Sequence, residues 1–358
     1  MTLEELFDMK PDKPDENIRM LSRAKWDSVA KPIDGLGCFE ETVSRIAAIQ
    51  RKETPDISKK ALIIMCADNG IVKEGVSQCG QEITYEVSSL MGKRMSSVGI
   101  MTEGYPMDMI VYDVGINSPD TPGGVRDRKI CRGTADFLTG PAMSSRACLD
   151  ALQVGIDAVK ECSERGYGIA ATGEMGIGNT TTSTAFLCAV TGIDPEVCTG
   201  KGSGLTDEAL LKKTAVIREG IRIHTGGKRA SSAGDVFEAL RCLGGLDIAA
   251  LTGVYIGGAI CRVPVVIDGL ISAAAALAAE KLVPGCADYM IASHMGREGG
   301  MSYIMSELSL KPVIYGNMAL GEGTGAVMMF PVLDMAMRLY DRGTSFEKAS
   351  IEQYERYS

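Results

Sequence analysis

Two stretches of this 358-residue chain set a carboxylate between glycines just ahead of a run of small residues. The first is Gly173-Glu174-Met175-Gly176-Ile177-Gly178-Asn179-Thr180-Thr181-Thr182, and the second is Gly321-Glu322-Gly323-Thr324-Gly325-Ala326-Val327. Glycines let backbone N–H groups approach a ligand closely, and a helix N-terminus favours an anion. The first stretch is therefore a candidate phosphate site, and together the two can bring two carboxylates to one cleft. A phosphate touching Glu174 would repel it, so this side chain is expected to face a hydroxyl or a cation beside the phosphate. The plainer alternative is a pair of turns whose glutamates only cap helices, since glycine-rich turns are common in α/β sheets.

A third glycine loop, 199–205, reads G-x-G-x-G without the last glycine of a dinucleotide fingerprint, and no G-x-x-x-x-G-K-[ST] phosphate loop occurs. Lys213 lies on a helix capped by Thr206 and, taken alone, reads as a solvated lysine. Ser77, in a glycine-containing loop, is a plausible pocket group, although serine there usually serves the turn. Met175 is placed to touch a ligand. Asp113 and Asp268 can be read as helix caps, and His294 as a structural or hydrogen-bonding residue rather than a catalyst.

The elements that must carry these residues follow from hydrophobic patterning. Residues 61–67 form an apolar run, as expected of a parallel strand covered on both faces, and end in Asp68-Asn69-Gly70. Further strands are predicted at 108–114, 167–172, 263–267 and 288–292, with a short one at 312–315. Helices are predicted at 15–25, 36–50, 85–98, 140–164, 183–190, 245–256, 270–280 and 327–340, and 120–132 reads as a loop. The alternation predicts an α/β fold with a doubly wound parallel sheet. The large catalytic domain spans 61–330. The helical ends, 1–60 with 331–358, are expected to fold together as a small second domain.

Composition narrows the function. A net charge of -9 argues against non-specific nucleic-acid binding. Eleven cysteines stand singly, with no C-x-x-C pair, and the first residues show no signal-peptide pattern, which points to a reducing cytoplasm. The longest apolar stretch, 270–279, is too short to span a bilayer. With two histidines and no cluster at ligand spacing, no metal site is expected.

Several longer motifs carry a family resemblance: Ala67-Asp68-Asn69-Gly70-Ile71, Gly75-Val76-Ser77, Gln81-Glu82-Ile83-Thr84, Asp113-Val114-Gly115-Ile116, the two carboxylate loops, Gly244-Gly245-Leu246-Asp247 and Pro264-Val265-Val266-Ile267-Asp268-Gly269. In this order, from about residue 20 to 340, the chain resembles the nicotinate-nucleotide:dimethylbenzimidazole phosphoribosyltransferases, which make the lower-ligand nucleotide of cobamides. The resemblance implies a Rossmann-like sheet with a small domain from both chain ends, a dimer, and no metal or cofactor. It implies transfer of the 5-phosphoribosyl group of nicotinate mononucleotide to a benzimidazole, releasing nicotinate. Glu322 matches the catalytic base, and Glu174 falls in the ribose-phosphate loop as a second catalytic carboxylate. Gly176, Ile177, Gly178, Asn179, Thr180, Lys213, Gly202 and Gly204 are implied phosphate or ribose contacts. Ser77, Gln78, Cys79, Glu86, Met175 and Leu320 are implied acceptor-pocket residues.

The chain also departs from the family. Gln78-Cys79-Gly80 stands where an Ala, an aromatic and a Pro are usual, Glu86 replaces a Gln, and Asn69 replaces a His. A pattern usually written Ser-x-Glu-Pro-Gly-His reads Gly296-Arg297-Glu298-Gly299-Gly300-Met301. Losing an aromatic wall and gaining a carboxylate suggests a different acceptor. Three readings follow: an active transferase acting on a benzimidazole or a related base; one subunit of a paired transferase acting on phenol or p-cresol, with a paralogous chain as partner; and an unrelated nucleotide-binding α/β enzyme such as an oxidoreductase.

Overall fold

The computed structural model describes residues 1–202 and 204–356. The chain opens with three helices, α1 (Leu3–Phe7), α2 (Glu16–Ser28) and α3 (Cys38–Gln50). Asp15 starts α2 by accepting the N–H groups of Asn17 and Ile18. Next come β1 (Lys60–Ala67), α4 (Glu82–Gly92), α5 (Ser97–Met101), β2 (Asp108–Gly115) and β3 (Arg126–Asp127). The middle of the chain holds α6 (Ser145–Glu164), β4 (Ile169–Met175), α7 (Asn179–Thr191), α8 (Pro195–Cys198), α9 (Asp207–Thr225), α10 (Ala233–Leu243) and α11 (Leu246–Cys261). The last part holds β5 (Val265–Ile267), α12 (Leu270–Leu282), β6 (Met290–Ala292), β7 (His294–Gly296), α13 (Gly300–Glu307), β8 (Ile314–Met318), α14 (Thr324–Arg342) and α15 (Phe346–Ala349).

Six strands form a parallel sheet in the order β3-β2-β1-β4-β5-β6. The order reverses between β1 and β4, and ligands of open α/β sheets bind beyond the strand ends at such a point. The register sets Glu174 beside Met65 and Met175 beside Cys66, which puts the first carboxylate loop at that crevice. Every residue of β1 is buried, and its side chains alternate between two cores. Ala61, Ile63, Met65 and Ala67 pack with residues of α6, α7, α10, α11 and α12. Leu62, Ile64 and Cys66 pack with α3 and α14.

The doubly wound sheet matches expectation, and several boundaries move. The strand predicted at 167–172 runs on to Met175 because Gly173, Glu174 and Met175 pair with Ile64, Met65 and Cys66. Its helix starts at Asn179 rather than 183. The predicted helix 85–98 is two helices, separated where Arg94 takes φ 57°, with Ser96 capping α5. Residues 126–127 of the predicted loop add the edge strand β3. The short strand near 312 is β8, and it pairs with β7 in a separate two-stranded sheet. The proposed boundary at 330/331 falls inside α14, which runs through Pro331. Residues of the two chain ends touch: Tyr340 donates to Ser22 Oγ (3.0 Å), its ring lies 5.0 Å from that of Trp26, and Val29 bridges Ser345. Trp26, Leu333 and Tyr340 share a buried cluster with the β1 residues Leu62 and Ile64.

Candidate active site

The two carboxylate loops meet at the end of β4. Gly173 has no Cβ, and one built there would lie 2.6 Å from Glu322 O, so only glycine lets the second loop pack this closely. Gly321, Glu322 and Gly323 all have positive φ. For a glutamate this is strained by roughly 1–3 kcal/mol, the kind of cost found where function fixes the backbone. Glu322 is held through the backbone that follows it and through its side chain. Asp268, at the end of β5, accepts the N–H groups of Gly323 (3.0 Å), Gly325 (2.8 Å) and Ala326 (3.0 Å), while Val98 N–H donates to Glu322 Oε2 (3.0 Å).

This arrangement separates two loops that look alike in sequence. The N-terminus of α14 is already occupied by the Asp268 carboxylate, so it offers no anion site. The N-terminus of α7 has Gly178 at its cap, at φ 94°, with no side-chain cap bond. Beside it lies Lys213, 0% exposed, whose Nζ donates to Thr180 Oγ1 (2.8 Å) and Gly200 O (3.2 Å). Both partners are neutral, Glu298 is the acidic group nearby, and burial holds the ammonium down to about 8. A buried cation with a donor to spare, next to an uncapped helix N-terminus, has the charge and the free donors that suit an anion.

Both glutamates line a cleft of ≈ 270 Å³. Of the implied phosphate and ribose contacts, Gly176, Ile177, Gly178, Asn179, Thr180, Lys213 and Gly202 border it, and Gly204 does not. Gly204 O instead accepts a hydrogen bond from Gln78 Nε2, which ties the 199–205 loop to the loop after β1. Ser203, within that motif, lies outside the described residues. Of the implied acceptor residues, Ser77, Met175 and Leu320 border the cleft with Val76, Val87 and Met318, whereas Gln78, Cys79 and Glu86 do not. Cys79 N–H donates to Ser77 Oγ (3.2 Å), and Glu86 is exposed on α4, one residue before the wall residue Val87.

Glu174 has one carboxylate oxygen bonded within the protein. Its Oε2 accepts from Asn179 Nδ2, whose second hydrogen goes to Asp247 Oδ2 (3.1 Å). Both amide hydrogens of Asn179 therefore go to carboxylates. Burial raises Glu174 to about 8 and Asp247 to about 7. Asp68, buried at the end of β1, accepts Asn117 N–H (2.7 Å) and is raised by burial to about 6, as is Asp268. His294 lines the cleft with Nδ1 3.0 Å from Ser293 Oγ, and burial lowers its affinity for a proton. Among the residues missed as site residues are Asp247, Glu298 and the wall residues Val76, Val87 and Met318. Asp247 had a signal, since it sits in the quoted Gly244-Gly245-Leu246-Asp247 motif. Glu298 had one too, in the altered Gly296–Met301 run. Val87 and Met318 had none.

Fold and site together define an α/β protein whose cleft, at a strand-order reversal, is lined by two glutamates and a buried lysine. The phosphoribosyltransferase family model (DBI_PRT) matches residues 12–351. The chain belongs to this family of phosphoribosyltransferases. It is 40% identical over 341 residues to the nicotinate-nucleotide--dimethylbenzimidazole phosphoribosyltransferase of Clostridium acetobutylicum, covering 95% of this chain and 96% of that one. It is 38% identical to the enzyme of the same name from Acetivibrio thermocellus, covering 95% of each. The crystal structure of CobT from Thermus thermophilus superposes with a TM-score of 0.87 at 33% identity, over 94% of this chain and all of that one.

Proposed function

We propose that the chain transfers the 5-phosphoribosyl group of nicotinate mononucleotide to 5,6-dimethylbenzimidazole or a related base, giving the α-ribotide and nicotinate for cobamide synthesis. The observation that carries this reading is Lys213, buried with only neutral hydrogen-bond partners beside the uncapped N-terminus of α7. That site takes the phosphate, and the sugar then lies along the glycine loop toward the two glutamates. The acceptor enters against Val76, Ser77, Val87, Met175, Met318 and Leu320. As one ring nitrogen attacks C1′, Glu322 takes the proton from the other, so the product ring leaves neutral. The pyridinium of the substrate departs as neutral pyridine nitrogen and needs no acid. Attack from the face opposite the leaving group inverts the anomeric carbon. Positioning of the two rings supplies much of the remaining acceleration.

The chain is proposed to act in the cytoplasm, in line with eleven free thiols, and as a dimer. Met95, Ile100, Met101, Met328 and Met335 expose apolar surface that a second family chain, identical or paralogous, would cover. The two helical ends are proposed to move as one unit. Among the described residues no helix is long and apolar enough to cross a membrane.

The test is nicotinate release from nicotinate mononucleotide by the purified chain, with 5,6-dimethylbenzimidazole, benzimidazole, adenine, phenol and p-cresol in parallel. Release with benzimidazoles is expected. Release with phenols alone, or only after a paralogous chain is added, overturns the acceptor assignment. No release with any of them overturns the reaction.

A further inference from the structure

We propose that Asn179 is a positioning residue: it gives both amide hydrogens to buried carboxylates and so leaves Oε1 of Glu174 as the oxygen that carries a proton into the cleft. The inference rests on the reaction proposed above and concerns a residue that the family pattern alone would assign to phosphate or ribose.

The argument starts from a count of donors. Asn179 Nδ2 has two hydrogens, one bonded to Glu174 Oε2 and one to Asp247 Oδ2. Glu174 and Asp247 are 7% and 0% exposed, and among the described residues no lysine or arginine bonds either of them. Two anions cannot be kept together out of water on a single neutral amide, so protons must be held there. Because Oε2 of Glu174 already accepts from Asn179, its proton belongs on Oε1. That oxygen lies on the cleft wall, where a Cβ built on Gly321 would come within 2.8 Å of it. On the other side, a Cβ on Gly176 would lie 2.7 Å from Asp247 Oδ2, so the glycine loop closes tightly over the pair. Asp247 Oδ1 is buried without a hydrogen-bond partner among the described residues.

The consequence is a division of labour between the two glutamates. Protonated Glu174 donates a hydrogen bond to an oxygen of the bound sugar and adds no negative charge against an anionic substrate. Glu322, half-buried and bonded to a backbone N–H, is left to accept the acceptor's proton. Differing environments around two carboxyls are how one site holds an acid and a base at the same pH. The charged groups facing Glu174 are Asp247 on α11, Asp268 after β5 and Glu322 before α14, with the Cys66 thiol of β1 nearby. Lys213 on α9, Glu298 before α13 and His294 on β7 border the same cleft.

The test is the pH profile of kcat/KM for nicotinate release, which reports free-enzyme ionisations. The wild type is expected to lose activity on the alkaline side as Glu174 loses its proton. The Asn179 amide favours the ionised form of Glu174, so Asn179→Ala lowers the rate and moves the alkaline fall up by about one pH unit. Asn179→Asp has the same shape and adds a carboxylate, and it moves the fall in the same direction if the alanine variant does not fold. Glu174→Gln, a neutral donor at every pH, keeps part of the activity and loses that fall. Two results overturn the proposal. One is a Glu174→Gln enzyme dead at all pH while the wild type gains activity with rising pH, which would mean that Glu174 works ionised. The other is a fall that stays in place in all variants, as it would if Lys213 owned it. Absence of wild-type release with every acceptor would instead remove the underlying reaction.

Discussion

In the proposed reaction Lys213 and Glu322 divide the work by charge, and substitutions should separate them. Lys213→Met keeps an apolar stem and removes the one buried ammonium that borders the cleft among the described residues. It is expected to raise KM for nicotinate mononucleotide by roughly 100-fold, the scale of one lost charge-assisted contact of ~3 kcal/mol, with a smaller change in kcat. Initial rates against substrate concentration would show it, and an unchanged KM would place the phosphate elsewhere. In sequence Lys213 was one lysine among many on helices, and only the family pattern singled it out. It is fully buried with its Nζ bonded to Gly200 O, a contact that no local pattern encodes. The reverse holds for Asn179. Its motif was plain, but its partners were not, because Asp247 lies 68 residues away and meets it only through the packing of α7 against α11.

The glycines at the strand ends set how closely the elements approach. Gly173→Ala would force a Cβ to 2.6 Å from Glu322 O, a backbone atom that cannot swing aside. The expected result is a stability loss of about 1–3 kcal/mol, typical of overpacking, with most transfer lost because the Glu322 loop moves. Thermal melting and nicotinate release check the two parts, and full activity in a stable variant would contradict the apposition of the loops. Asp268→Asn should act on the same loop from beneath, since an amide has one acceptor oxygen where the carboxylate satisfies three N–H groups. It is expected to lower the melting temperature and kcat together. Element types were legible because buried parallel strands read as unbroken apolar runs, as at 61–67. Boundaries were not where tertiary pairing overrode local preference. Gly173 and Glu174 are poor strand formers held by β1, and Asn179 to Thr182 are weak helix formers held by burial. The helix α10 went unread although Ser232 and Asp235 form a capping box at its start.

Across the whole molecule, the buried carboxyls predict how stability depends on pH. Glu174, Asp247, Asp68 and Asp268 have folded values near 8, 7, 6 and 6, above ordinary carboxylate values. Between those ordinary values and about 8 the native state binds more protons than the unfolded chain, so stability falls as pH rises through this window. Lys213, lowered to about 8, works oppositely above that pH, where the unfolded lysine holds a proton that the native one has lost. The ligand-free protein should therefore melt higher near pH 5.5 than near pH 8. A melting temperature that climbs steadily from about pH 5 to about pH 8 would contradict burial of the four groups as described. The doubly wound sheet was readable from the alternation of elements. The sharing of one core between the chain ends and β1 was not, since it joins residues far apart in the chain, such as Leu62 and Tyr340.

The most direct measurement is the transfer rate of Glu322→Gln, with benzimidazole acceptor and nicotinate mononucleotide both saturating and substrate binding followed by calorimetry. A general base contributes roughly 100- to 10,000-fold. The account predicts a loss of kcat on that scale with the affinity for nicotinate mononucleotide unchanged. A variant that releases nicotinate at the wild-type rate would show that the proton leaves by another route and that the strained Glu322 loop serves only the fold.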